Sequence, residues 1–141
     1  MKETTKLLKR IITIVIVISV SFFAAGIFYW TTSISDLEEN FPIAWFGLAL
    51  LAGLVCGVFS GKNFAITGLM VSAGFGMAVF VRIIYDISFV DETLHNLFPI
   101  EVFIWTMMSA VPAFAGTFIS SWLKQRLSQK KLSSNEENDL R

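Results

Sequence analysis

Four apolar runs separated by short connections of alternating charge constrain this chain more than any other feature. The runs are Ile11 to Trp30, Ile43 to Ser60, Phe64 to Tyr85 and Val102 to Trp122. Each reaches or nears the ~20 residues that a helix needs to cross a bilayer core of ~30 Å. The expected fold class is therefore an all-α membrane protein, a compact bundle of four transmembrane helices spanning about 11–30, 43–60, 64–85 and 99–123. Residues 1–10 form a basic N-terminal segment, 11–123 the transmembrane domain, and 124–141 a tail that begins basic and turns polar. The polar stretch from Ser133 to Asp139 is expected to be disordered, because it offers no apolar face to bury.

The formal net charge of zero conceals a segregation. Of the eleven Lys and Arg residues, ten (Lys2, Lys6, Lys9, Arg10, Lys62, Lys124, Arg126, Lys130, Lys131 and Arg141) fall on one side of the proposed membrane, and Arg82 lies near the other. The acidic side carries Asp36, Glu38, Glu39, Asp86, Asp91, Glu92 and Glu101. Short loops rich in Lys and Arg stay in the cytoplasm, so both termini and the Gly61-Lys62-Asn63 turn are expected there, in the cell membrane. The first run exceeds the ~7–15 apolar residues of a secretory signal core, which favours an uncleaved first helix. Phe28, Tyr29 and Trp30 close it with rings suited to the headgroup level, and Trp45 follows Pro42, where the second helix is expected to begin, as a second outer anchor.

Small residues recur at four-residue spacing. Gly53, Gly57 and Gly61 mark one stripe of the second helix, and Gly68, Ser72 and Gly76 mark one of the third. Such stripes let helix backbones approach closely. Since three residues separate the two runs, the expectation is an antiparallel hairpin with the stripes facing each other. A sharper alternative is a homo-oligomer built on the Gly53/Gly57/Gly61 face. Pro112, mid-way through the fourth run, removes a backbone donor and is expected to kink that helix, with Ser109, Ala113 and Gly116 leaving space for neighbours.

The acidic connections echo each other: Asp36 to Ile43 and Asp91 to Ile100 both run from acid through Asn to Phe-Pro-Ile. A two-helix repeat would relate the halves by an axis along the membrane normal. Acidic loops and Pro-initiated helices also recur for ordinary reasons.

Polar chemistry gathers beside the second of these connections, in Arg82, Tyr85, Asp86, Asp91, Glu92, His95, Asn96 and Glu101. Asp91, Glu92, His95 and Glu101 are weak candidates for a cation or proton site, since carboxylates with one imidazole can hold either. The spacing matches no metal motif. Arg82 and Asp86, four apart, are expected to pair at the membrane interface, and Glu101 suits a helix N-terminus. Cys56 is a lone cysteine inside an apolar run, so it acts as a small filler and forms no intramolecular disulfide.

No catalytic constellation, phosphate loop or cofactor motif is present, and no run holds a mid-span Asp, Glu, Lys or His. The chain is expected to be non-enzymatic and cofactor-free, with the lipid bilayer as its medium. Its partners would be a second copy or another membrane protein, and not nucleic acid. The leading expectation is an accessory or assembly subunit or an oligomer protomer. The rival is an oligomeric channel or small-solute transporter with an acidic outer mouth.

Overall fold

The computed structural model describes residues 2–32, 34–60, 63–90 and 97–139, with side chains over 3–32, 43–59, 63–90 and 97–130. Among them are four helices: α1 (Lys2–Thr31), α2 (Ile34–Ser60), α3 (Phe64–Phe89) and α4 (Phe98–Asp139). Three carry segments long and apolar enough to cross a membrane, over Glu3–Thr31, Phe64–Phe89 and Phe98–Lys130. The apolar part of α2, Ile43–Phe59, is shorter.

Helix boundaries differ from the sequence expectation in all four helices: α1 starts at Lys2, ahead of Ile11, and α3 runs on to Phe89. α2 starts at Ile34 and takes in the acidic stretch ahead of Pro42, a composition that helix N-termini favour. α4 is helical through Asp139, including the tail expected to be disordered. Residues 124–132 are mostly Lys, Gln, Arg and Leu, which lose little rotamer freedom in a helix, so nothing stops the helix at the end of the apolar run. Pro112 lies within the continuous α4.

In cross-section the bundle is a rhombus. α2 and α3 occupy the short diagonal, α1 and α4 the far corners, and α1 and α4 do not touch among the described residues. α1 runs parallel to α3, because Ile18, Ser21 and Phe22 sit against Gly74 while the end of α1 meets Arg82. α4 runs parallel to α2, with Ala113 against Gly53 and Ser120 against Gly57. α3 and α4 are antiparallel, Gly68 meeting Phe114 and Gly76 meeting Thr106. The packing of α3 on α4 is more extensive than that of α1 on α2, so the contacts do not repeat between the halves.

This arrangement corrects the expected pairing of small-residue stripes. Gly53 and Gly57 face α4 rather than Gly68, Ser72 and Gly76, and Gly68 and Gly76 also turn to α4. Gly61 lies outside the described residues. The reason is that α4 brings a small-residue face of its own. Gly116 abuts the Leu50 carbonyl of α2, Ala113 is fully buried, and Thr117 and Ser120 line the same seam. Close approach needs small residues on both helices, and α4 supplies more than the α2–α3 turn can enforce. The face formed by Gly53 and Gly57 is thus already covered within one chain.

Aromatic rings fill the core towards the Arg82 end. Trp45, expected as an outer anchor, is instead fully buried and packs edge-on against Phe75 at 4.8 Å between centroids and against Trp105 at 6.0 Å, with Tyr29 at 5.8 Å. One residue from each helix contributes to the cluster. Trp45→Ala should therefore cost about 3–5 kcal/mol, as expected for deleting a fully buried ring, and lower the midpoint of thermal unfolding in detergent. Trp45→Phe should recover more than half of that loss, an ordering readable by circular dichroism. Outward-facing positions are apolar as well, among them Phe23, Ile27, Leu51, Val55, Phe103 and Val111. So much exposed hydrocarbon on every helix suits lipid and not water.

Candidate functional site

At the C-terminal end of α1, Thr31 and Thr32 bond to the Phe28 carbonyl, and the carbonyls after it lie beyond the reach of the helix's own amides. Arg82, reaching across from α3, supplies a donor. Its Nη1 donates to the carbonyls of Tyr29 and Trp30, each at 3.3 Å, and its Cζ lies 6.0 Å from the Tyr29 ring centroid. Its Nε donates to both Asp86 carboxylate oxygens at 2.8 Å. Arg82 keeps 18% of its side chain exposed and Asp86 5%. The i,i+4 pair is thus extended by contacts that spacing alone does not reveal. The guanidinium neutralises a buried carboxylate and complements the negative end of the α1 dipole at once.

Glu101 stands in the first turn of α4, half-buried, and acts electrostatically on Tyr29 together with Arg82 and Asp86. Tyr29 is therefore the residue on which all three charges converge. Trp30 closes the same edge by donating its indole N–H to the Ala78 carbonyl at 3.4 Å. A groove of about 340 Å³ opens beside this cluster, lined by Trp30, Val81, Arg82 and Tyr85.

Of the other residues singled out in the sequence, Asp91, Glu92, His95 and Asn96 lie outside the described residues. Among the described residues no three His, Cys, Asp or Glu side chains come together in a way that could hold a metal ion. Asp86, which the sequence offers only as an ion-pair member, is one of the most deeply buried polar residues.

The opposite end has its own cap. Lys124 of α4 donates its Nζ to the Val58 carbonyl at the end of α2, at 3.2 Å. Each parallel pair therefore has a cation from one helix on the C-terminus of the other: Arg82 on α1 and Lys124 on α2. The signal available in the sequence was a basic residue near a helix end, which the positive-inside rule had absorbed for Lys124.

Between these ends the interior is rich in hydroxyls, but they are turned back on their own helices. Ser21 donates to Val17, Ser72 to Gly68, Ser109 to Thr106, Thr117 to Phe114 and Ser120 to Thr117, at 2.8–3.0 Å. The buried Ser121 hydroxyl makes no hydrogen bond among the described residues. Cys56 is buried within hydrogen-bonding reach of Ser21, so α1, α2 and Gly74 of α3 meet at small side chains. This geometry favours close helix contact, because a hydroxyl that donates to its own helix has no proton left to offer a solute's acceptor. No protein-family model, curated protein or solved structure matches this chain.

Proposed function

We propose that this chain is a four-span integral membrane protein of the cell membrane. Both termini and the α2–α3 connection face the cytoplasm, and the protein acts through helix contacts, as an accessory or assembly subunit or an oligomer protomer. The observation that carries this reading is the closed interior. Trp45, Phe75, Val71, Val79 and Ile83 are fully buried along the bundle, and the hydroxyls beside them bond to their own helices. A protomer filled in this way has surface to offer rather than a path.

Four crossings are supported by helix direction. α1 and α3 lie side by side and point the same way, so α2 has to carry the chain back through the bundle, and its shorter apolar stretch matches that need once flanking residues are added. The cytoplasmic assignment follows from the Lys and Arg bias. An oligomer or heteromer would assemble through faces other than that of Gly53 and Gly57.

Native mass spectrometry of the full chain, gently solubilised from its own membranes, tests the contact role. A stoichiometric heteromer or a defined homo-oligomer is the expected result. A lone monomer that conducts cations when reconstituted in liposomes would overturn it in favour of the solute-path reading.

A further inference from the structure

The end of the bundle opposite Arg82 carries a second groove, of about 460 Å³, between the start of α1 and the start of α3. That volume falls within the ~300–1,000 Å³ typical of small-molecule sites. Its walls are divided by chemistry. Lys6, Lys9 and Arg10 line it from α1 and Asn63 from the foot of α3, whereas Ile14, Ile66 and Met70 form an apolar stretch further along both helices. Lys6, Lys9 and Arg10 are spaced three and four apart, which sets them on one face of α1.

The three cations make no ion pair among the described residues. Glu3 lines an adjoining cleft with Lys6 and Arg10, so the groove keeps an excess of positive charge. Thr13 and Thr67 also border it, but their hydroxyls bond to the Lys9 and Asn63 carbonyls. The start of α3 adds to the same field: Asn63 makes no side-chain cap there, and a helix N-terminus favours negative charge. This support is secondary to the cations.

We infer that this groove is a binding site for an anionic phospholipid, its phosphate held by Lys6, Lys9 and Arg10 and an acyl chain lying along Ile14, Ile66 and Met70. The two halves of the wall match the two halves of a lipid, and the apolar part continues onto the lipid-facing surface of α1 and α3, where Ile14 and Ile66 are exposed. A free phosphate would use the cations and leave the apolar wall without purpose. Basic clefts between membrane helices are suited to such headgroups by their field and depth. The inference rests on the membrane location alone and not on the contact role proposed above.

The test is native mass spectrometry of the purified full chain, delipidated in a neutral detergent and offered phosphatidylglycerol or phosphatidylcholine with identical acyl chains. Phosphatidylglycerol should be retained about tenfold more than phosphatidylcholine, and the combined Lys6→Gln, Lys9→Gln and Arg10→Gln variant should lose that preference. Neutralising Lys124, Arg126 and Lys130 together should leave it intact. Because the charges near α1 also direct insertion, Ile66→Trp provides a second variant, which fills the apolar wall with every cation in place and should lower retention of phosphatidylglycerol. Equal retention of the two lipids by the unaltered chain would overturn the inference, as would a triple α1 variant that retains phosphatidylglycerol normally. Full retention by Ile66→Trp, or complete displacement by inorganic phosphate, would reduce the groove to a free-anion site and overturn the lipid assignment.

Discussion

Gly53→Ala is expected to destabilise the bundle by about 1–3 kcal/mol, the range for forcing extra atoms into a packed core. The added methyl would overlap the backbone carbonyl of Ala113, and a carbonyl held within a helix cannot rotate aside as a flexible side chain does. Gly116→Ala meets the same obstacle from the other helix, at the Leu50 carbonyl and 2.8 Å from the Leu54 nitrogen. Gly53→Leu should prevent α2 and α4 from closing and abolish the monodisperse folded species in detergent. Gly47→Ala is the control. A methyl there meets nothing within 4 Å, so it should be neutral or stabilising by about 0.5–1 kcal/mol through helix propensity. Thermal unfolding followed by circular dichroism would rank the variants, and a Gly53→Ala protein as stable as Gly47→Ala would show that the α2–α4 seam is looser than its geometry.

Arg82→Met should be more damaging than Gly53→Ala, for an electrostatic reason. It removes the guanidinium bonded to the buried Asp86 carboxylate and the donor to the Tyr29 and Trp30 carbonyls, and breaking a buried ion pair from one side costs about 3–5 kcal/mol. Asp86→Leu should cost less, since Arg82 is the more exposed partner and keeps its α1 carbonyls. The double replacement Arg82→Met with Asp86→Leu should recover most of the loss of Arg82→Met alone, because the buried carboxylate then leaves together with its counter-charge. Unfolding titrations of the four proteins give the coupling directly. Additive losses would mean that Arg82 and Asp86 act independently, with the α1 cap dominating.

These two sites differ in how far the sequence disclosed them. The Arg82–Asp86 spacing is a local pattern, legible because residues four apart share a helix face. That Arg82 also caps α1 depends on α1 and α3 lying parallel, which no local pattern carries. The glycine stripes were legible as surfaces for close approach, but their partner was not. A three-residue turn makes α2 and α3 neighbours without choosing which of their faces meet. Ser109, Ala113 and Gly116 were visible as small residues around Pro112, and only the register of the helices brings Ala113 and Gly116 onto the Gly53 seam.

By itself, the sequence determined the helical class and the membrane setting. Both follow from the length and composition of apolar runs, quantities summed along the chain. Helix ends were less determined, since fit to a helix does not stop where hydrophobicity does, as the start of α2 at Ile34 and the run of α4 to Asp139 illustrate. The tertiary structure alone decided the rhombic order of the helices, the turning of both glycine stripes towards α4, and the gathering of Lys6, Lys9 and Arg10 with Asn63 at one groove. These depend on which surfaces fit at close range. In a bilayer, where burial of apolar area scarcely separates one helix pairing from another, such fit is settled by steric and polar contacts between residues far apart in sequence.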